Sequence, residues 1–442
     1  MTSPQTSRDE RTIVIVGGGF AGTTLAQRLE RQLPENWRVV LLSQESYTTF
    51  NPMLAEVVGA SVFPEHVIAP LRQMIRNTRF IMAAVRDVDF RRRLVIGDTL
   101  SGPREIHYDH LVFAFGTRAN LAVVPGMADH ALPLKLVGDA MHIRNRVLQQ
   151  VARIELEADP LVRRRLGNFV VVGGGFSGVE VAGELADFLC GAKRYYPRVL
   201  ASELQVTLLQ DADRLLPELP ECLGRAAEKS LSGRGIRVRL GVRAARVQAE
   251  GVTLADGEFI ASATVVCTIG TRPHPVVERL AVPTDRGRIQ TESDMAVCGL
   301  DGIWAIGDCA LVKNALTDQF SPPTAQFAVA QAQQLAANLL ARIAGRPTRA
   351  FAYRSRGMMA TTGHMKGVAQ IFGLRLAGFP AWLLWRAYYL LRMPTLGRKL
   401  RIWVEWTWGM FFAADITHLR FTRTGDQDAD SPVPPLRAPA PR

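Results

Sequence analysis

Two short glycine-rich runs have the composition of a phosphate cradle: Gly17-Gly18-Gly19-Phe20-Ala21-Gly22 and, much later, Gly173-Gly174-Gly175-Phe176-Ser177-Gly178. In a GxGxxG turn the first glycine allows the tight bend and the second lets the backbone approach a pyrophosphate. The third lets the helix pack close on the preceding strand. The anion then rests on free amides at the helix N-terminus. Gly17, Gly19, Phe20, Ala21 and Gly22 are therefore candidate contacts for one dinucleotide, and Gly173, Gly175, Phe176, Ser177 and Gly178 for another. One such match is weak, but two in one chain point to a hydride relay in which a nicotinamide reduces a flavin.

A dinucleotide site of this type ordinarily closes its second strand with an acid that accepts from a ribose hydroxyl. Neither unit keeps it: Ser43 follows Leu42, with Glu45 two residues on, and Gln210 follows Leu209, ahead of Asp211 and Arg214. Losing the carboxylate removes its repulsion of a 2′-phosphate, which Arg214 could pair, so NADPH is expected alongside NADH. Asp211 doing the ordinary ribose work, with NADH preferred, stands equally open.

The turns need strands before them and helices after them, and both have these. Residues 12–16 (TIVIV) and 169–172 (FVVV) read as strands buried on both faces. Residues 23–31 and 179–189 read as the helices, and 37–42 and 204–209 as the second strands. Strand-like runs at 111–115, 264–269 and 302–306 end in Gly116-Thr117, Gly270-Thr271 and Gly307-Asp308. Ala114 and Gly116 thus return to the first site and Gly270 to the second. Residues 323–343 are alanine- and glutamine-rich and helical. The fold class expected is α/β, with two Rossmann-like dinucleotide-binding domains.

With 442 residues, 48% hydrophobic and 21% charged, the chain has room for about three structural units and is not disordered as a whole. The net charge of +12 leaves nucleic acid, acidic ligands or anionic lipid as partners. No recognition fold for nucleic acid accompanies the basic residues. The cysteines, at 190, 222, 267, 298 and 309, show neither zinc spacing nor a redox-active pair. Such scattered thiols suit a reducing compartment, and the polar start has no signal-like apolar core, so the cytoplasmic side is expected. Residues 371–404 carry Arg375, Arg386, Arg392, Arg398, Lys399 and Arg401 and no acid, interleaved with Phe379, Trp382, Trp385, Tyr388, Tyr389 and leucines. Pro380 and Pro394 bracket a helix of three to four turns, too short to span and suited to lie in an anionic interface. A core helix or a homodimer contact is the alternative use of this stretch.

From about residue 12 to 412 the chain resembles the type II, non-proton-pumping NADH:quinone oxidoreductases, among the two-dinucleotide-binding-domain flavoproteins. The resemblance rests on residues 13–22, on 47–54 (YTTFNPML), on 111–116, and on Pro125-Gly126 with 130–135 (HALPLK). It continues through 170–184, 303–310 and 322–326 (PPTAQ), then 357–363 (GMMATTG), 381–385 (AWLLW) and Trp406-Thr407-Trp408. It implies FAD in the first unit, held in part by Asp308, Gly307 and Ala325, and NADH or NADPH in the second. It implies a lipophilic quinone as electron acceptor, with Glu180 near the reacting rings and Gln326 and Gln331 on the quinone side. Glu180 as a first-turn residue favouring the helix dipole, and the glutamines as a polar helix face, remain alternatives. Glu56 and His364 read as structural polar residues. The implied organisation is FAD domain at 11–135 and 284–350, nicotinamide domain at 136–283, membrane-anchoring region at 351–422, and disordered ends at 1–10 and 423–442. A soluble ferredoxin- or rubredoxin-type reductase, a sulfide:quinone oxidoreductase and a slow membrane-docked redox sensor are the rivals.

Overall fold

The computed structural model describes residues 10–412 and 414–419. The expected disordered stretches at 1–9 and 423–442 lie outside the described residues. The first glycine turn joins Arg11–Val16 to the helix Phe20–Leu29, and Trp37–Ser43 follows. These strands belong to a seven-stranded sheet ordered Ile303–Ala305, His110–Phe113, Arg11–Val16, Trp37–Ser43, Arg79–Asp89, Leu94–Thr99 and Gly102–His107. The first five run parallel and the last two fold back antiparallel. Ile13, Val14 and Ile15 are wholly buried, as a strand covered on both faces requires. The helices Phe20–Leu29 and Ala325–Ile343 share this core.

The second unit repeats the pattern. A five-stranded parallel sheet is ordered Ala131–Pro133, Thr264–Cys267, Asn168–Val172, Gln205–Leu209 and Arg237–Arg239. The sequence reading counts residues 131–133 to the first domain; here they hydrogen-bond to Thr264–Cys267 at the edge of the second sheet. The two units are tied by Thr117–Ala119 pairing with Thr271–Pro273.

The C-terminal region adds three antiparallel strands, Gly357–Thr361, Gly367–Ile371 and Leu374–Ala377, then the helices Phe379–Arg392 and Leu396–Trp408. The first helix has the length that the bracketing prolines set. It buries Ala381, Trp382 and Trp385, one stripe at helical spacing, and leaves Phe379, Leu383 and Leu391 exposed. The second buries Ile402 and Trp406 and exposes Leu396, Leu400, Trp403, Val404 and Trp408. Among the described residues no helix is long and apolar enough to cross a membrane.

Candidate active site

The local geometry of both turns is that of a dinucleotide cradle. Gly17 and Gly173 have φ of +117° and +113°, a region that glycine occupies without strain. A Cβ on Gly22 would overlap the Gly17 carbonyl oxygen, and one on Gly178 the Gly173 carbonyl oxygen. Around Gly19 and Gly175 nothing of the protein comes within 4 Å of such a carbon. First and third glycines are thus demanded by the fold, while the middle one faces open space suited to a pyrophosphate.

From the first turn a cleft of about 460 Å³ runs inward. Gly17, Gly19, Phe20, Ala21, Ser43, Glu45, Ala114, Gly116, Gly307, Asp308 and Ala325 line its first-unit side, Phe176, Ser177 and Glu180 its second-unit side, and Met359 and Tyr389 its C-terminal end. This donor and apolar set fits FAD lying along the first unit. The remaining second-unit candidates, Gly173, Gly175, Gly178, Gln210, Arg214 and Gly270, do not line the cleft. Gln210 is buried, its Oε1 accepting from the Gly174 amide at 2.8 Å, and Arg214 Nη2 donates to the Pro217 carbonyl at 2.8 Å. Gln210 Oε1 is thereby committed to the turn, while half-buried Arg214 has one guanidinium nitrogen engaged.

The two glutamines make their hydrogen bonds with the protein itself. Gln331 is buried, and its Oε1 accepts from the Gly307 amide at 2.7 Å, pinning the turn that presents Asp308. Gln326 Oε1 accepts from Tyr353 Oη at 3.0 Å and the Arg356 amide at 2.8 Å, and its Nε2 donates to Ser355 Oγ at 3.2 Å. Both therefore brace backbone around the cleft, and neither lines it.

Glu180 stands at the meeting point. Trp385 Nε1 donates to its Oε1 at 3.2 Å and the Thr361 amide at 3.3 Å. Burial pushes its carboxyl up to about 8, with Glu56 adding to the rise and the Thr361 amide opposing it. Glu56 and Glu184 are likewise buried and raised, chiefly by burial. Opposite Glu180 lies Lys135, whose Nζ donates to Thr117 Oγ1 at 3.0 Å; Thr117 Oγ1 donates to Asp308 Oδ2 at 3.4 Å. Burial lowers the Lys135 ammonium from its ordinary value. Sequence reasoning gave Lys135, Met359 and Asn51 no role, although each stands in a block that carries the resemblance. Glu184 likewise closes such a block, at 170–184, and lies one helical turn beyond Glu180. No cysteine lines the cleft among the described residues, so the dithiol that sulfide or disulfide chemistry needs is absent from its walls.

The family model for pyridine nucleotide-disulphide oxidoreductases matches residues 11–332. The chain belongs to that family. The Type II NADH:quinone oxidoreductase Ndh of Mycobacterium tuberculosis is 28% identical over 414 residues, covering 89% of this chain and 87% of its own length. The demethylphylloquinone reductase NdbB of Synechocystis is 30% identical over 404 residues, covering 89% and 95%. In three dimensions the chain is similar to NDH2 from Plasmodium falciparum in complex with NADH, with a TM-score of 0.86 at 17% identity over 93% of this chain and 100% of that one. A ferredoxin reductase from Rhodopseudomonas palustris gives 0.64 at 24% identity over 82% of each. Within its family the chain thus stands with the type II NADH:quinone oxidoreductases, enzymes that use FAD and NADH.

Proposed function

We propose that the chain is a peripheral, cytoplasm-facing NAD(P)H dehydrogenase that delivers electrons to a lipophilic quinone without moving protons through itself. When bound, FAD would supply the two-electron hydride chemistry that links the nicotinamide to the quinone. The observation that carries this reading is the cleft itself, where the first turn, the helix of the second turn and the C-terminal region converge on Glu180. Residues 11–135 and 284–350 hold the flavin, with residues 131–133 lending their strand to the neighbouring sheet. Residues 136–283 orient the nicotinamide, and 351–422 bring the quinone-bearing surface to the cleft's inner end.

The protein's part is placement and proton supply. The open faces of Gly19 and Gly175 admit the two pyrophosphates to the amides at their helix ends. Lys135 sets a positive charge beside the reacting rings. Glu180, protonated at neutral pH, offers a proton at its carboxyl oxygen where the quinone becomes more basic on reduction. The exposed leucines and tryptophans of the last two helices enter the lipid headgroup layer, with Arg392, Arg398, Lys399 and Arg401 toward anionic phosphates at about 1 kcal/mol each.

The test is anaerobic reduction followed by reoxidation. NADH bleaches the yellow protein, and a quinone in anionic vesicles restores the colour many times faster than dissolved oxygen does. Bleaching with recovery no faster than oxygen leakage overturns the quinone reading in favour of a slow sensor. NADPH bleaches it as well, and Gln210→Glu, which puts a carboxylate at the turn, lowers NADPH efficiency at least tenfold, on the order expected for a specific polar contact.

A further inference from the structure

Beneath the cleft, three carboxylates share one buried volume: Glu56 is 3% exposed, Glu180 7% and Glu184 6%. They come from the helices Leu54–Val58 and Phe176–Lys193. Carboxylates crowded in an apolar interior keep their protons unless a cation faces them. The helix Phe379–Arg392 brings Arg386 close without an ion pair, through Trp406, on which it stacks and which reaches Glu56. Arg386 lies with its guanidinium carbon 4.0 Å from the Trp382 ring centre and 4.8 Å from that of Trp406. Its Nη1 donates to the Trp406 carbonyl at 3.3 Å, while its buried Nε has no partner. The same helices touch the acids directly. Trp406 Nε1 donates to Glu56 Oε2 at 3.1 Å, and Trp385, beside Arg386 in sequence, reaches Glu180. Glu184 accepts from Ser61 Oγ at 2.8 Å.

The remaining charged and titratable neighbours leave Arg386 as the cation common to Glu56 and Glu184. Arg234 bears on Glu184 but is already ion-paired to Asp187. Glu405, which bears on Glu56, is an acid paired to His66 at 2.8 Å. His364 is held neutral by burial and by Arg386 and Arg234, and Tyr389, beside Glu180, holds its proton through burial.

We propose that Arg386, clasped between Trp382 and Trp406, is a positioning residue that keeps Glu56 and Glu184 from being locked in their protonated forms beneath Glu180. The last two helices thereby govern the charge state of the cleft floor. This rests on reading the cleft as the quinone-reducing site, so the deciding measurement uses neither nicotinamide nor quinone.

Infrared difference titration of the flavin-loaded protein follows the protonated-carboxyl bands, assigned with Glu56→Gln and Glu184→Gln. In Arg386→Gln those bands persist to a pH higher by about one unit or more, and the pH profile of quinone reduction moves the same way. Arg386→Lys, which retains the charge, lies between wild type and the glutamine variant. A folded Arg386→Gln protein that titrates with wild type overturns the proposal. So do lysine and glutamine variants that shift equally, since shape rather than charge would then be acting. If Arg386→Gln does not fold, Trp382→Leu takes away one clasping face and leaves the charge. An upward shift there supports the proposal and an unmoved titration overturns it. Failure of the quinone assay alone leaves this readout intact and falls on the functional reading.

Discussion

Glu180 shows how one side chain can be placed by sequence and given its chemistry by packing. Its position two residues past the last glycine suggests a first helical turn, but the helix already begins at Phe176 and Glu180 falls just beyond that turn, where an exposed acid would be an ordinary ionised group. Instead Trp385, Thr361 and Tyr389 close over it, and the desolvated carboxyl is held to about 8. Quinone reduction is accordingly expected to fall as pH rises through that value. Glu180→Gln is expected to lose about tenfold or more in kcat and to flatten the profile, which steady-state rates between pH 6 and 10 measure. Stability runs in the same direction. The folded value lies above the ordinary 4.5, so stability is full below 4.5 and is lost as pH rises towards 8. Glu180→Gln therefore stabilises the protein more at pH 9 than at pH 6, by roughly 3 kcal/mol, which thermal melts at the two pH values measure.

The elements divide into those legible in the sequence and those that depend on distant partners. The continuous β-branched runs and the glycine turns after them locate the strands Arg11–Val16 and Asn168–Val172, because strand burial and turn geometry are local demands. The helix Leu396–Trp408 and the sheet at residues 357–377 are not legible in this way. Trp406 finds Glu56 across 350 positions, and Thr361 finds Glu180 across 181. The glutamines of Ala325–Ile343 lie on the helix as expected, but their partners, backbone amides and the Tyr353 and Ser355 hydroxyls, are ones that no spacing rule reveals. The turn itself yields a sharp contrast between two glycines. Gly22→Ala drives a methyl into the Gly17 carbonyl and is expected to destabilise the protein by roughly 1–3 kcal/mol with or without flavin. Gly19→Ala meets no protein atom, so the apoprotein melts as wild type while FAD affinity falls by tenfold or more. Thermal melts of apo and loaded protein, with a flavin titration, separate the two.

At the scale of the whole molecule the arrangement is one-sided. Residues of both glycine-turn units line the cleft, and the helix Phe379–Arg392, which leaves Phe379, Leu383 and Leu391 exposed, adds Tyr389 to its walls. On the proposed peripheral reading, the proton taken up with each quinone reduced is expected to come from the side on which the protein binds. Sealed anionic vesicles containing quinone, with protein and NADH added outside, test this. The external medium becomes more alkaline by a single proton for each NADH, the lumen pH stays constant, and an uncoupler leaves the rate unchanged. Binding itself is expected to weaken as salt rises, since the arginines proposed to meet anionic lipid would act through screened charge, and to weaken again in Trp403→Glu, which puts an acid among the exposed apolar groups. Lumenal acidification, or a rate that climbs when the uncoupler is added, would mean that the reaction does work against a gradient and that the one-sided reading is wrong.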